Sequence, residues 1–305
     1  VIKLYFLTDD ERKKLLKSFL PKSREQGVAE ELRGWNWHQP PLEPVYDVRL
    51  PLYQIANKYC GSGRDLYLHR VEKKKSIANI AMKKGSLYHD LIVQILVQTK
   101  KLIYQHHLNA EAILAELTLF LPHFTAQNKE LLQQNPEIQE QIIQIFNYML
   151  SIISSRLHET IVRQPYIGED SLAAQVVPYV LEQKLDGTFL GLSPNLSSDA
   201  FVFSEPMIMD LKFGPRESFH RLATTGYALV MEAIFEYPIN VGCIVYGEFK
   251  NGRLYIQKDM HIISDELRQW FIEERDEKMR LVYNEIDPGK ANNCYDTCPY
   301  FAYCR

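Results

Sequence analysis

The chain has 305 residues, 46% hydrophobic and 24% charged, with a formal net charge of −3. That is the profile of a soluble globular protein of one large or two ordinary domains, and five cysteines in such a length exclude a disulfide scaffold. The mild net charge neither requires nor forbids a nucleic-acid partner, because a binder needs its positive charge only locally. The most apolar long stretch, 138–153, is interrupted by Gln139, Glu140, Gln141, Gln144 and Asn147, so no membrane span is expected. The N-terminus has no signal-peptide layout, and the expected location is cytoplasmic.

In chain order, residues 1–50 read as an N-terminal extension. Helical spacing over 9–20 puts Leu15, Leu16, Phe19 and Leu20 on an apolar side, and 35–44 reads as a loop rich in proline and aromatics. Residues 51–165 read as a helical domain, with helices over 79–105 and 110–120. A third runs from Asn135 as N-cap and Pro136 at the first position to about 160.

The pattern changes near 175, and 166–284 reads as a mixed core. Strands are predicted over 176–185 and 188–192, joined at Asp186-Gly187, and over 200–203 and 207–213 around Ser204-Glu205-Pro206. A helix over 217–236 follows, then strands over 240–249 and 254–258 around Asn251-Gly252, then a helix over 265–284. The tail, 285–305, carries three of the five cysteines. Helices first, then strands and helices, give an α/β or α+β core behind a helical domain.

The strand period of two turns Met207, Met209, Leu211 and Phe213 one way, into a core, and Ile208, Asp210 and Lys212 the other. With an even-numbered turn, Val202 pairs with Met207 and Asp199 with Asp210. Two carboxylates then stand side by side with Lys212 next to them. Such carboxylates repel, so a divalent cation, Mg²⁺ or Mn²⁺, is expected between them. That set suits phosphodiester hydrolysis: the cation acidifies water, and the lysine orients or deprotonates it or steadies the transition state. A bare Asp-x-Lys is also common on solvated strands, and the upstream Asp199 raises the signal. Asp186 is a rival first carboxylate, but its Asp-Gly context favours a turn.

Upstream, Gly85 and His89 lie one helical turn apart. A mid-helix glycine costs about 1 kcal/mol against alanine, tolerable where something approaches closely. His89 is a candidate metal ligand, although a lone histidine is more commonly a satisfied, half-buried side chain. Lys73, Lys74, Lys75, Lys83 and Lys84 either track a DNA backbone or form a solvated face. In the tail, Cys294, Cys298 and Cys304 are one ligand short of a closed site, and Cys60 is the natural fourth. Four cysteines fit a [4Fe–4S] cluster or a structural Zn²⁺, and the uneven spacing leans toward iron–sulfur. Cys243, in an apolar strand, reads as core.

Taken in order, Cys60, Gly85-x3-His89, Asp199, Asp210-x-Lys212 and the terminal cysteine triplet resemble the CRISPR-associated RecB-like iron–sulfur nucleases, the Cas-four family, in its archaeal Csa-one branch. The resemblance spans about residue 52 to the end. It implies a PD-(D/E)XK restriction-endonuclease-like core in 166–284, with His89, Asp199, Asp210 and the Leu211 carbonyl holding Mg²⁺ or Mn²⁺ and Lys212 catalytic. It further implies that Cys60, Cys294, Cys298 and Cys304 hold the cluster and pin the tail to the helical domain. The implied activity is exonucleolytic, on single-stranded DNA, beside CRISPR integrase proteins during spacer acquisition. The alternative is a non-catalytic scaffold that binds DNA and the integrase. Two positions depart from the pattern. Ala223 stands where such nucleases carry a glutamine four residues before Tyr227, and three residues rather than two separate Cys294 from Cys298. His220, Thr224 and Tyr227 share a helical face, which makes His220 and Tyr227 possible substrate contacts.

Overall fold

Thr8 and Glu11 exchange side-chain and backbone hydrogen bonds in a capping box that starts α1 (Asp9–Lys14). In this computed structural model, which describes residues 4–202, 204–292 and 294–304, a π-helical turn over Leu15–Phe19 carries α1 into α2 (Leu20–Gln26). Leu15 and Leu20 are buried as the spacing predicts, whereas Leu16 faces solvent. Before them, Leu4, Tyr5 and Phe6 are fully buried in the main core. The segment 35–44 has no strand or α-helix beyond a 3-10 turn, Gly34–Asn36.

Two short helices, α3 (Leu52–Ala56) and α4 (Arg64–Arg70), precede the helical layer. Asn79 caps α5 (Ile80–His106) through the Met82 amide. The predicted 110–120 helix divides into α6 (Ala110–Thr118) and α7 (Phe120–Gln127), followed by α8 (Lys129–Gln134). Helix α9 (Pro136–Arg163) starts on its proline, but the Asn135 side chain does not cap it. That amide instead donates backward to the Leu131 carbonyl, at the end of α8.

The strand reading needs two corrections. Residues 169–176 form a helix, α10 (Glu169–Val176), so β1 (Val180–Leu185) starts later than predicted. The predicted strand at 188–192 is a 3-10 turn, Thr188–Leu190, and no hairpin closes at Asp186-Gly187. The Gly187 carbonyl accepts from Leu190 and Leu192, which curls the chain back instead of reversing it. The partner of β1 is β2 (Leu196–Val202), antiparallel. Phe203, the predicted end of that strand, lies outside the described residues.

Strand β3 (Met207–Phe213) pairs antiparallel with β2, then α11 (Arg221–Phe235) leads to β4 (Val241–Lys250), parallel to β3. The antiparallel β5 (Arg253–Ile262) and α12 (Asp265–Tyr283) complete the order, giving a mixed α/β architecture on a five-stranded sheet, β1-β2-β3-β4-β5.

Both faces of this sheet are covered. Met207, Met209 and Leu211 pack with α5 and α9 in one cluster, where Cys243 is also fully buried. Ile208 and Phe201 pack with α3, α11 and α12 in the other. Each fully buried large aliphatic side chain contributes about 1.5–3 kcal/mol, so α11 is held on the sheet by its whole inner face. Gly226 lets α12 and α3 close on α11 from the other side, since a Cβ there would come within 2.5 Å of the Phe271 ring and 2.8 Å of Leu52. At its other end, buried Glu232 accepts from Arg268, Arg33 and the amides of Gly34 and Ile239. Breaking a buried network of this kind costs about 3–5 kcal/mol. Among the described residues, no helix is long and apolar enough to cross a membrane.

Candidate active site and cysteine centre

The β2–β3 register includes Val202 opposite Met207, as predicted, and Ala200 opposite Met209. One step further sets Asp199 against Asp210. On the other side, β1 and β2 pair Leu181 with Ala200 and Gln183 with Ser198, which leaves Glu182 facing Asp199. Three carboxylates, Glu182, Asp199 and Asp210, therefore cross three adjacent strands in one row. Glu182 holds a left-handed backbone at φ 50°, a conformation that costs a non-glycine residue free energy and recurs at functional sites.

His89 reaches this row from α5. Its Nε2 lies 3.2 Å from Asp199 Oδ1 and 3.5 Å from Glu182 Oε1, and ligand atoms of the three residues fit within 4.8 Å of one another. The other Asp199 oxygen accepts from the Leu211 amide at 2.9 Å, which locks that carboxylate to β3. Lys212 Nζ stands 2.8 Å from Asp210 Oδ2. Asp210 is only 5% exposed, and neither its Oδ2 nor His89 Nε2 has an aligned hydrogen-bond partner among the described residues. Buried polar atoms without partners are costly. Asp210 Oδ2 has Lys212 as its ionic neighbour, and the ligand atoms that come together are those of His89, Glu182 and Asp199, with Asp210 the next carboxylate along the row.

The charges are coupled. Burial, helped by Asp199 and opposed by Lys212, pushes Asp210 up to about 6. Asp199 goes the other way: burial would raise it, but His89, Lys212 and the Leu211 amide together hold it below the ordinary carboxylate range. Burial would lower His89 and Lys212, and the surrounding carboxylates raise both instead. A divalent cation would remove the main repulsion in the row. Carboxylate oxygens with one imidazole suit Mn²⁺, and Mg²⁺ would use the oxygens. The residues present thus fit the expected metal.

Glu182 was absent from the sequence reading. It sits in Val-Leu-Glu-Gln-Lys, where alternation alone gives no hint of a ligand, and only the β1–β2 register brings it into place. Tyr5 was missed too. Its hydroxyl is buried without a partner, and burial and the fields of Asp199, Asp210 and Glu182 raise its pKa. Beyond its chain neighbours and its own helix backbone, no atom of the described residues lies within 4 Å of where a Gly85 Cβ would stand, so they do not make the close approach expected there. Asp186 accepts from the Thr188 amide in a loop turn, away from the row.

A cleft of ≈ 810 Å³ opens onto His89 and Glu182, lined also by Met82, Lys83, Ser86 and Asn128. Of the other lysines, Lys84 pairs with Glu137 and Lys74 with Glu72, while Lys73 and Lys75 lie outside this lining. On α11, Tyr227 approaches the carboxylates, but its hydroxyl donates to the Ser197 carbonyl at 2.5 Å. His220 is buried beside Lys212, and burial together with that cation lowers it to about 4, so its ring is neutral. Thr224 is occupied by the Arg221 carbonyl and His261.

The four tail-and-loop cysteines are free thiols. Cys294, Cys298 and Cys304 pack with Leu68, Tyr67 and Tyr300. Burial raises Cys298 and Cys304, and nearby Cys294 and Cys60 raise them further, so all four belong to one electrostatic neighbourhood. Such crowded thiols need a cation to ionise together. A single tetrahedral Zn²⁺ with bonds of about 2.3 Å would draw the sulfurs to about 3.8 Å apart. Among the described residues, no three of these sulfurs lie within 4.8 Å of one another. The tail is tied down independently: the Ile77 amide donates to the Pro299 carbonyl, Asn79 to the Thr297 carbonyl, and Tyr300 bonds His69.

Comparison with known proteins gives a consistent answer. The family described as "CRISPR-associated exonuclease Csa1" matches residues 6–305. Two relatives carry that same description. The one from Saccharolobus solfataricus is 31% identical over 292 residues, covering 95% of this chain and 97% of the relative. The one from Thermoproteus tenax is 28% identical over 283 residues, covering 92% and 94%. No solved structure gives a significant match.

Proposed function

The chain belongs to the Csa1 family of CRISPR-associated exonucleases, and from that premise we propose that it is a metal-dependent DNA exonuclease acting on single strands during CRISPR spacer acquisition. The carboxylate row of Glu182, Asp199 and Asp210, with His89 at one end and Lys212 at the other, carries this reading. We read the core as a PD-(D/E)XK fold in which Asp199 and Asp210-x-Lys212 fill the signature positions.

His89, Glu182, Asp199 and Asp210 would hold Mg²⁺ or Mn²⁺, with the Leu211 carbonyl as a further donor. When bound, the ion supplies acidified water and neutralises charge on the phosphate. The protein's part is to orient and to donate. The Leu211 amide fixes one Asp199 oxygen, leaving the other toward His89. The carboxylates of Asp210 and Asp199 raise the Lys212 pKa and favour its charged form. That favours a role as cationic donor to the attacking water or a phosphate oxygen. Cys60, Cys294, Cys298 and Cys304 would hold a [4Fe–4S] cluster that fastens the tail against α4 and α5, the helix that carries His89. CRISPR integrase proteins are the proposed partners.

The direct test uses anaerobically purified protein and end-labelled single- and double-stranded DNA, with Mn²⁺, Mg²⁺ or chelator. Mn²⁺-dependent shortening of the single strand is the expected result. Strand binding without turnover under every metal, with the cluster present, would favour the scaffold instead.

A further inference from the structure

Tyr59 is the residue before Cys60, and it is 56% exposed. Exposure of a large aromatic usually means a loose side chain, but this one is held from several directions. Its hydroxyl lies 2.8 Å from His220 Nε2, and His220 Nδ1 lies 3.1 Å from the Tyr246 hydroxyl, which donates to the Glu217 carbonyl at 3.4 Å. One tautomer of a neutral His220 satisfies every bond of this chain. Tyr246 gives its proton to Glu217, Nδ1–H donates to Tyr246, and Tyr59 donates to Nε2. The Phe219 ring meets Tyr59 edge-on at 5.0 Å and 90°. Such edge contacts leave the ring's other surface free.

The backbone beneath is equally fixed. Lys278 from α12 donates to the carbonyls of Gln54, Ile55 and Asn57, the Asn57 side chain accepts from the Tyr59 amide, and Lys58 pairs with Glu274. Tyr246 is the β4 residue paired with Lys212 in the β3–β4 register, so the ring linked to it through His220 stands at the Lys212 end of the carboxylate row. Lys212 and Asp210 both act on the Tyr59 phenol electrostatically. Cationic Arg216 lies over the neighbouring Tyr246 ring at 5.2 Å.

We propose that Tyr59 is a stacking platform for one nucleobase of the single strand, next to the phosphate presented to Lys212 and Asp210. This rests on the nuclease reading above and adds a substrate contact to it. A fixed aromatic face suits an unpaired base of any identity, because every base has a π-face and none is read by its edge. Paired bases keep their faces covered, so the platform also favours single over double strands. Arg216 supplies cationic character on the same side, where the backbone would pass.

The test compares parent, Tyr59→Ala and Tyr59→Phe on short single strands with Mn²⁺, each strand intact or carrying one abasic nucleotide at successive positions from the cut. The parent should show a KM raised about 5- to 100-fold at one abasic position, the range expected for losing one stacked base. Tyr59→Ala should raise KM by a similar factor on the intact strand and show no further penalty at that position. Tyr59→Phe, which keeps the ring, should retain most of the position-specific penalty. If Tyr59→Ala keeps the parent's abasic penalty, or lowers kcat without moving KM, the stacking assignment is wrong while the nuclease reading stands. A parent that neither binds nor cuts single strands overturns both.

Discussion

Glu182, Asp199 and Asp210 come from three neighbouring strands, whereas Cys60, Cys294, Cys298 and Cys304 come from a loop near one end of the chain and a tail at the other. Ladder registers fix the first set, and a slip of one residue would turn each side chain to the opposite face. Side chains and turns hold the second, through Tyr300–His69, Asn79–Thr297 and Arg64–Asp287. The strand site is thus preorganised by the fold itself. The cysteine site rests on a few side-chain and backbone bonds between distant segments, to which a bound metal cluster would add its own. Loss of a strand-borne ligand should damage chemistry and spare the fold, and loss of a cysteine should do the reverse.

The largest effect expected is from Asp210→Ala, which removes the partner of Lys212 and a central carboxylate. Single-strand cleavage should fall by about 10²–10³-fold or more, with an unchanged circular dichroism spectrum. Glu182→Gln should come next. It keeps the shape and removes one charge, so the Mn²⁺ concentration giving half-maximal rate should rise by about tenfold or more. An unchanged metal requirement would remove Glu182 from the site.

Cys298→Ser should show the opposite pattern. Iron content and visible absorbance should drop and the thermal midpoint should fall by several degrees, while any protein that stays folded keeps a Mn²⁺ affinity close to the parent's. Retained iron at parental stoichiometry would place the cluster elsewhere or exclude it.

The smallest effect concerns pH. Asp210 is pushed up to about 6, so Mn²⁺ must displace its proton in acid. Affinity measured by calorimetry should rise as pH increases through about 6, by at most about tenfold per unit for each proton displaced, with a further rise as His89, whose pKa the carboxylates raise, loses its own proton. In Asp210→Asn the step near 6 should vanish and only the His89 step remain, whereas a persisting step near 6 would assign it to another group.

Much of this site was legible in the sequence. Alternation in 207–213 separated Met207, Met209 and Leu211 from Asp210 and Lys212, and the turn parity paired Val202 with Met207. The helix that carries His89 and the Gly-bearing turn at Asn251-Gly252 followed from local chemistry in the same way. What was not legible depends on contacts distant in sequence. Asp186-Gly187 reads as a hairpin locally, yet the backbone of 187–193 closes on itself and docks on Leu50, so β1 waits for Leu196–Val202. Glu182 becomes a candidate ligand only through that later pairing. Tyr5 and Tyr59 lie in segments with no periodic signal, and each reaches the row through tertiary packing. Asn135 has the composition of a cap, but the preceding helix offers its side chain a nearer carbonyl.

The central claim is that Lys212 acts on the phosphate as a donor beside an intact metal site. The most direct measurement is single-turnover cleavage of labelled single-stranded DNA by parent and Lys212→Ala at saturating Mn²⁺, with Mn²⁺ binding measured on the same samples. The account predicts that Lys212→Ala binds Mn²⁺ at least as well as the parent and loses cleavage by about 10²-fold or more. Cleavage by Lys212→Ala at the parental rate would contradict it.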